Sequence, residues 1–448
     1  MPDFELYVSG DEAVLTLDST HLASNTKLHV HNNPVNPTDK IYITFANSAA
    51  VNWQGVIDLI EGRAADLLIF LKSTTHIYNG SFKGFNSVLL TDHKISTENK
   101  KEILPNEEAH NNVKLIIDNF RAKEGYIFCN NLSLLKGGKV TDKLGIKLYG
   151  NNPQITFEGN TINDYLVLNN LDIKTAVTQL TLDKVVLNGN FNHAQINSLL
   201  VKDSVAADSW RLENIKSVTG LSLQTLGINN QIFTDSIEIT NLLSPRGKFY
   251  ISAKSYINFK IESQGNLSGI DLVLDMSSSL NPNKKIIFPA HKFRFDTVTI
   301  IKADEVTIPM GGSCKQLLLE DCAKVIVYNL EAGDVKYNSK SQPGKFQASG
   351  KILNNLLMIG EVEAILHKMD VTNLEGIGLC NVNFSSGVTC KMLQLNLNLD
   401  TANLNDQIQA GKSVIRIENN GQELTKIDTI LAKLSTFYIK GNVELGNV

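Results

Sequence analysis

Apolar-x-apolar triplets recur through almost the whole chain, as in Ile146-Lys-Leu148, Ile155-Thr-Phe157, Leu180-Thr-Leu182, Ile237-Glu-Ile239, Val298-Thr-Ile300 and Ile415-Arg-Ile417. Such alternation marks short strands with one face buried. The spacing is regular: Ile146 to Leu166 is 20 residues, Leu180 to Leu199 is 19, Leu199 to Leu221 is 22 and Leu395 to Ile415 is 20. Triplets also fall at half the period, so each repeat carries two or three strands. A period near 20 residues suits one coil of a parallel solenoid, because strands advance about 3.3 Å per residue and tight corners join them. Tetratricopeptide and ankyrin units need about 33 or 34 residues and amphipathic helices, for which this chain offers little. Asparagines at 130–131, 151–152, 160, 169–170 and 229–230 fall between triplets, where a tolerance for left-handed backbone makes corners. The predicted fold class is all-β: a parallel β-helix or β-solenoid with coils of about 20 residues.

Four coils fit a longer template, apolar-x-x-apolar-x-apolar-x-x-(small or apolar). They are Val177/Leu180/Leu182/Val185, Ile196/Leu199/Val201/Ser204, Val218/Leu221/Leu223/Leu226 and Cys314/Leu317/Leu319/Cys322. The template makes Leu182, Val201, Leu223 and Leu319 equivalent inward positions. These segments resemble the turns of right-handed parallel β-helix proteins of the pectin-lyase-like type, and equally the strand motif of leucine-rich repeats. The segments between motifs are short and strand-like, as in Ile237-Glu-Ile239 and Phe249-Tyr-Ile251, which favours the β-helix. A leucine-rich-repeat-like solenoid is the alternative. The resemblance spans residues 65–445, is architectural, and singles out no family member.

The first 64 residues are less regular. Phe4-Glu-Leu6, Val14 to Leu17, Leu28-His-Val30 and Ile41 to Phe45 read as strands, forming a β-rich N-terminal cap or the first coils. Residues 65–448 are the solenoid, with a polar loop at 96–113 expected to project from one coil. The best local case for a helix is Gln54 to Lys72, through Val56, Ile57, Leu59, Ile60, Leu67 and Leu68, against Gly62 and the β-rich run Leu67 to Phe70.

Composition narrows the partners. With 448 residues and 42% hydrophobic content, the chain can bury a large core. Its net charge is −4, and only six of the 42 basic residues are arginines, scattered along the chain. Nucleic acid and anionic membranes usually call for clustered cations, so neither is expected as a partner. No apolar stretch reaches the roughly 18 residues of a membrane-spanning helix, and the amino terminus lacks a basic region followed by an apolar run. No Sec signal is expected; cytoplasmic residence, export by another route and origin in a longer surface protein stay open. The five cysteines (Cys129, Cys314, Cys322, Cys380, Cys390) read as small buried hydrophobes, in keeping with a reducing compartment.

The standard nucleotide, hydrolase and zinc-protease motifs are absent, so no catalytic residue, metal or cofactor is assigned. Gly311-Gly-Ser-Cys314 resembles a nucleophile turn, but Cys314 takes an apolar template position and reads as buried. His29 and His31 alternate on one strand face near His21, a weak metal set that reads as solvent-facing. Enzymes on pectin-lyase-like coils use acidic residues clustered on one outer face, where a polysaccharide lies along the stack. The corresponding candidates here are Asp183, Asp203, Glu320 and Asp321. The template sets Asp183 beside Lys202, and Lys184 beside Asp203, which is the pattern of a solvated surface. Sugar-stacking aromatics are sparse, with only Trp53 and Trp210.

The expected function is a non-enzymatic interaction scaffold of microbial origin, holding a protein or glycan along an outer face. An adhesin, a secreted effector or part of a larger surface protein fits that description. The alternative is a polysaccharide lyase or hydrolase. An enzyme should cluster carboxylates and basic groups in a groove; a scaffold should carry mixed charge.

Overall fold

The computed structural model describes residues 3–17, 27–46, 50–93, 113–161, 163–243, 246–261, 269–290, 293–395, 413–419, 421–432 and 435–448. Among these residues there is no helix, and strands pair in parallel, each with its counterpart on the next coil. The chain is a parallel β-solenoid with coils of about 20 residues, as the triplet spacing predicts. It forms two compact units, Met1–Gly227 and Ile228–Val448. His21, residues 96–112 of the expected loop, and Leu397 lie outside the described residues.

In the first unit, Gln154–Glu158 pairs with Val177–Asp183, which pairs in turn with Ile196–Ala206. Leu166–Ile173 pairs with Val185–His193 on a separate run of the same coils. Alternate side chains therefore stack inside: Phe157, Leu182 and Val201 lie in register and are at most 1% exposed. In the second unit, Ile270–Asp275, Phe293–Ile301, Gly312–Glu320 and the following strand stack Leu274, Ile300, Leu319 and Tyr337 in the same way.

The corners explain the rest of the template. Two residues after the inward Leu182, Val201, Ile300 and Leu319 stand Lys184, Asp203, Lys302 and Asp321, all with left-handed backbone. The next side chain, at Val185, Ser204, Ala303 or Cys322, turns back into the interior and is buried. Space there is short, and bent backbone leaves carbonyls to satisfy. Ser204 donates to the Lys202 carbonyl at 2.9 Å and accepts the Val185 N–H at 3.1 Å. Asparagine is the commonest non-glycine residue with a left-handed backbone, with Asn152 and Asn170 among the examples.

Three sequence expectations change. In the coil from Val218, Leu221 rather than Leu223 stands opposite Val201, and Leu223 faces Ser204. One extra residue before Leu221 and a corner one residue shorter after it slip the template, leaving Leu226 58% exposed. Thr225 fills the interior position opposite Ala206 instead.

The Gln54–Lys72 segment is not a helix but two strands, Val51–Glu61 and Asp66–Phe70. The first rounds a corner, with a register shift between Gln54 and Val56, so its apolar residues bunch at near-helical spacing. The second is buried on both faces. Leu67 and Ile69 point inward, while Leu68 and Phe70 join Tyr42 and Leu89 in an outer apolar cluster, with Tyr126 and Phe128 packed against it. Burial on both faces gives an uninterrupted apolar run in place of alternation.

Cys129, Cys322, Cys380 and Cys390 are buried as expected, whereas Cys314 is only half-buried.

Candidate functional site

Outward positions carry mixed charge, as in the register run Lys136, Glu158, Asp183 and Lys202. Asp183 stands opposite Lys202, with 3.9 Å between the charged groups, and also accepts from the Lys184 ammonium at 2.8 Å. Asp203 accepts the Ser222 hydroxyl at 2.8 Å. Glu320 lies between Ile301 and Asn338 on neighbouring strands. Partial burial pushes the Asp321 carboxyl up, but the Ser341 side chain and the N–H groups of Ser341 and Lys340 outweigh it and hold the group below the usual carboxylate range. The same cross-coil pairing recurs as Lys136–Glu158 at 3.1 Å in the first unit, and as Lys345–Glu363 at 3.1 Å and Lys426–Glu444 at 3.0 Å in the second.

These pairs are solvated and screened, so each contributes little to stability. Exchanging the charges (Asp183→Lys with Lys202→Asp) keeps a pair in place and sets the new cation opposite Glu158. The double variant is expected to melt within a few degrees of the parent. A large destabilisation would place these residues inside the coil.

The second unit carries a solvent-open groove of about 490 Å³, within the range of about 300–1,000 Å³ typical of small-ligand sites. Gly333 is part of its lining. Gly333 takes an outward position on the coil after Lys315; a Cβ there would stand 2.5 Å from the Lys315 carbonyl oxygen. Cys314 and the buried Ala332, in register with each other, also line it, and Cys314 keeps part of its surface open. Arg294, Ser313 and Glu331, consecutive in register, form one wall. Gln316, Asp334 and Asn354 form the other, and Lys315 and Leu353 stand at the margins.

Asp334 is held in place. Asn354 donates to one carboxylate oxygen at 3.3 Å and Asn355 to the other at 3.1 Å, and Asn373 on the next coil donates to Asn355 at 3.1 Å. Lys315 bonds Asp296 at 2.8 Å, which with the Gly269 N–H holds that carboxyl below the usual range. The groove lining thus has two cations and two carboxylates, with Asp296 a third carboxylate beside Lys315.

Burial pushes the Cys314 thiol up to about 12, as it does Cys322. Access then decides reactivity. In the native protein a thiol reagent is expected to modify Cys314 first, with Cys129, Cys322, Cys380 and Cys390 following only on denaturation. Rapid native modification of Cys322 would contradict its interior placement.

Sequence reasoning missed the partners of the histidines. His31 bonds Glu5 at 2.5 Å and Glu61 at 3.2 Å, and these two contacts hold its pKa above the ordinary 6.5. His29 lies 3.6 Å from Asp3, and His76 bonds Asp118 at 2.7 Å. His93 bonds the buried Asp92, which also accepts the Asn130 N–H at 2.8 Å. Apart from Asp92, which adjoins His93 in the chain, these partners stand 26 to 42 residues away and become visible only once the coil register is known. Among the described residues, no group of three or more His, Cys, Asp or Glu is arranged to hold a metal ion.

Trp53 and Trp210 are at most 3% exposed and pack edge-on against Phe45 and Phe191, so neither offers a face for stacking. Trp210 underlies a second depression, of about 340 Å³, in the first unit. No helix of the described residues is long and apolar enough to cross a membrane. No protein-family model matches the chain, and no match to it is found among curated proteins or solved structures.

Proposed function

We propose that the chain is a non-catalytic interaction scaffold, of the kind found in microbial adhesins, secreted effectors or larger surface proteins, whose outward coil faces hold a partner. The observation that carries this reading is the company its carboxylates keep. Asp183 stands opposite Glu158, but Lys184 bonds the first and Lys136 the second; Asp203 accepts a hydroxyl, Asp321 backbone N–H groups and Asp334 two carboxamides. A glycosidase-type pair needs two carboxyl groups whose environments drive their pKa values apart, one protonated and one ionised. Each of these carboxylates instead meets a cation or a hydrogen-bond donor, the two members of the Glu158–Asp183 pair alike. Incubation with a panel of neutral and uronic-acid polysaccharides, followed by chain-length analysis and assay for unsaturated ends, is expected to leave every polymer intact. Shortening of any of them would overturn the scaffold reading in favour of a lyase or hydrolase.

A further inference from the structure

We infer that the groove around Gly333 is a binding site for an uncharged oligosaccharide, an inference that rests on the scaffold reading and names its ligand class. Three features of the groove select that class.

The first is charge. Arg294 and Lys315 stand among Glu331, Asp334 and the Asp296 that pairs with Lys315, so the groove mixes both signs and presents no cationic patch to attract a polyanion. An acidic polysaccharide would have to set its own carboxylates against Glu331 and Asp334.

The second is the mixture of donors and acceptors. Arg294 only donates, Glu331 and Asp334 only accept, and Ser313, Gln316 and Asn354 do both. Sugar hydroxyls donate and accept at once, so vicinal hydroxyls can bridge a planar carboxylate and a neighbouring amide or guanidinium. Asp334 is already oriented by Asn354 and Asn355, so little side-chain freedom is lost on binding. Leu353, 45% exposed at the margin, offers an apolar contact for the C–H face of a ring.

The third feature disfavours an extended peptide. Ser313, Cys314 and Gln316 are paired on both sides, to Arg294, Phe295 and Thr297 on one coil and to Glu331, Ala332 and Asp334 on the next. No backbone edge is left at the groove for strand addition, so a ligand must be gripped by side chains alone.

The test uses the full chain and a printed array of neutral gluco-, manno-, galacto- and N-acetylglucosamine oligosaccharides with oligogalacturonate as the charged comparator. Titration of the best neutral tetrasaccharide follows. At least one neutral series is expected to bind, with affinity unchanged between low and high salt. Binding should fall about tenfold or more in Arg294→Ala and in Gln316→Ala, exposed positions whose melting curves should match the parent. Failure to bind any neutral glycan, binding indifferent to both variants, or a salt-sensitive preference for oligogalacturonate would overturn the inference. If the neutral glycan is bound but shortened, the site stands and the scaffold reading falls. If glycans are ignored while a purified protein partner binds and is lost in the same variants, the glycan assignment falls and the scaffold reading stands.

Discussion

Val201→Asp is expected to unfold the coils around it. Val201 is 1% exposed and stacks between Leu182 and Leu221 on the neighbouring strands. Its side chain meets only aliphatic groups along that inner column, where the backbone donors already serve the ladder. An ionised carboxylate placed there would have no partner, and such burial costs at least about 4 kcal/mol, a large share of the 5–15 kcal/mol margin of an ordinary domain. The variant's alternative is to bind a proton. That raises its pKa in the folded state above the unfolded value of about 3.9. A group raised on folding supports the fold below its unfolded pKa, and that support is lost as pH rises through the folded one. The defect should therefore be mildest in acid and full at neutral pH. Val201→Thr has nearly the same shape and should cost only about 1–3 kcal/mol, through its unpaired hydroxyl. Thermal melts and hydrogen exchange across residues 177–225 check the order: parent, then threonine, then aspartate. An aspartate variant as stable as the parent would put Val201 on the outside, since slipping a strand by one residue exchanges its faces.

That prediction rests on what was legible from the sequence, and the reasons are local. A half-buried strand writes its inner face as alternation, and a solenoid repeats that face coil after coil, so Leu180, Leu199 and their equivalents announce themselves at 19 residues. The corners are legible too, because left-handed backbone favours asparagine and glycine. What escaped depends on a second coil. The groove brings Gly333 together with Cys314, 19 positions earlier in the chain, on the neighbouring coil. The histidine partners likewise sit on other strands, and His76 finds Asp118 on a coil whose register no short window reveals. The outer cluster of Tyr42, Leu68, Phe70 and Leu89 disguised strands as a helix because burial on both faces erases period two. The slip at Leu221 and Leu223 shows the converse limit. A template can match residue for residue while a single inserted residue moves half of it around a corner.

Asn32→Ala is expected to be the costliest removal of a few polar atoms in the first unit. Asn32 ends the strand Lys27–Asn32 and is 1% exposed. Its amide donates to the Thr38 carbonyl at 2.8 Å and to the Arg63 carbonyl at 2.7 Å, and its oxygen accepts the Thr38 N–H at 2.7 Å. One side chain thereby closes the loop to Thr38 and ties it to the next coil. Gly62 on that coil lets the backbones approach: its φ is +93°, and a Cβ there would stand 1.8 Å from the Asn32 carbonyl oxygen. The second unit repeats the device. Asn419 donates to the carbonyls of Glu423 at 2.5 Å and Asn442 at 2.8 Å and accepts the Gly421 N–H at 3.0 Å, beneath Gly441 with a φ of +97°. Truncation to alanine strands two carbonyls and one N–H in a space too closed for full hydration. At about 1–3 kcal/mol for each buried group left unpaired, partly relieved by relaxation, the loss should be about 3 kcal/mol or more. Asn32→Asp separates the two roles of the side chain. It keeps the acceptor for Thr38 but turns a carboxylate toward two carbonyl oxygens, so it should be at least as damaging as alanine at neutral pH. In acid the added proton restores one donor, and part of the stability should return. Exchange in residues 27–46 and 56–63 should rise first in both variants. Protection unchanged there after Asn32→Ala would mean that the loop holds without this side chain, and that the matching asparagine–glycine pairs of the two units are not what fixes these corners.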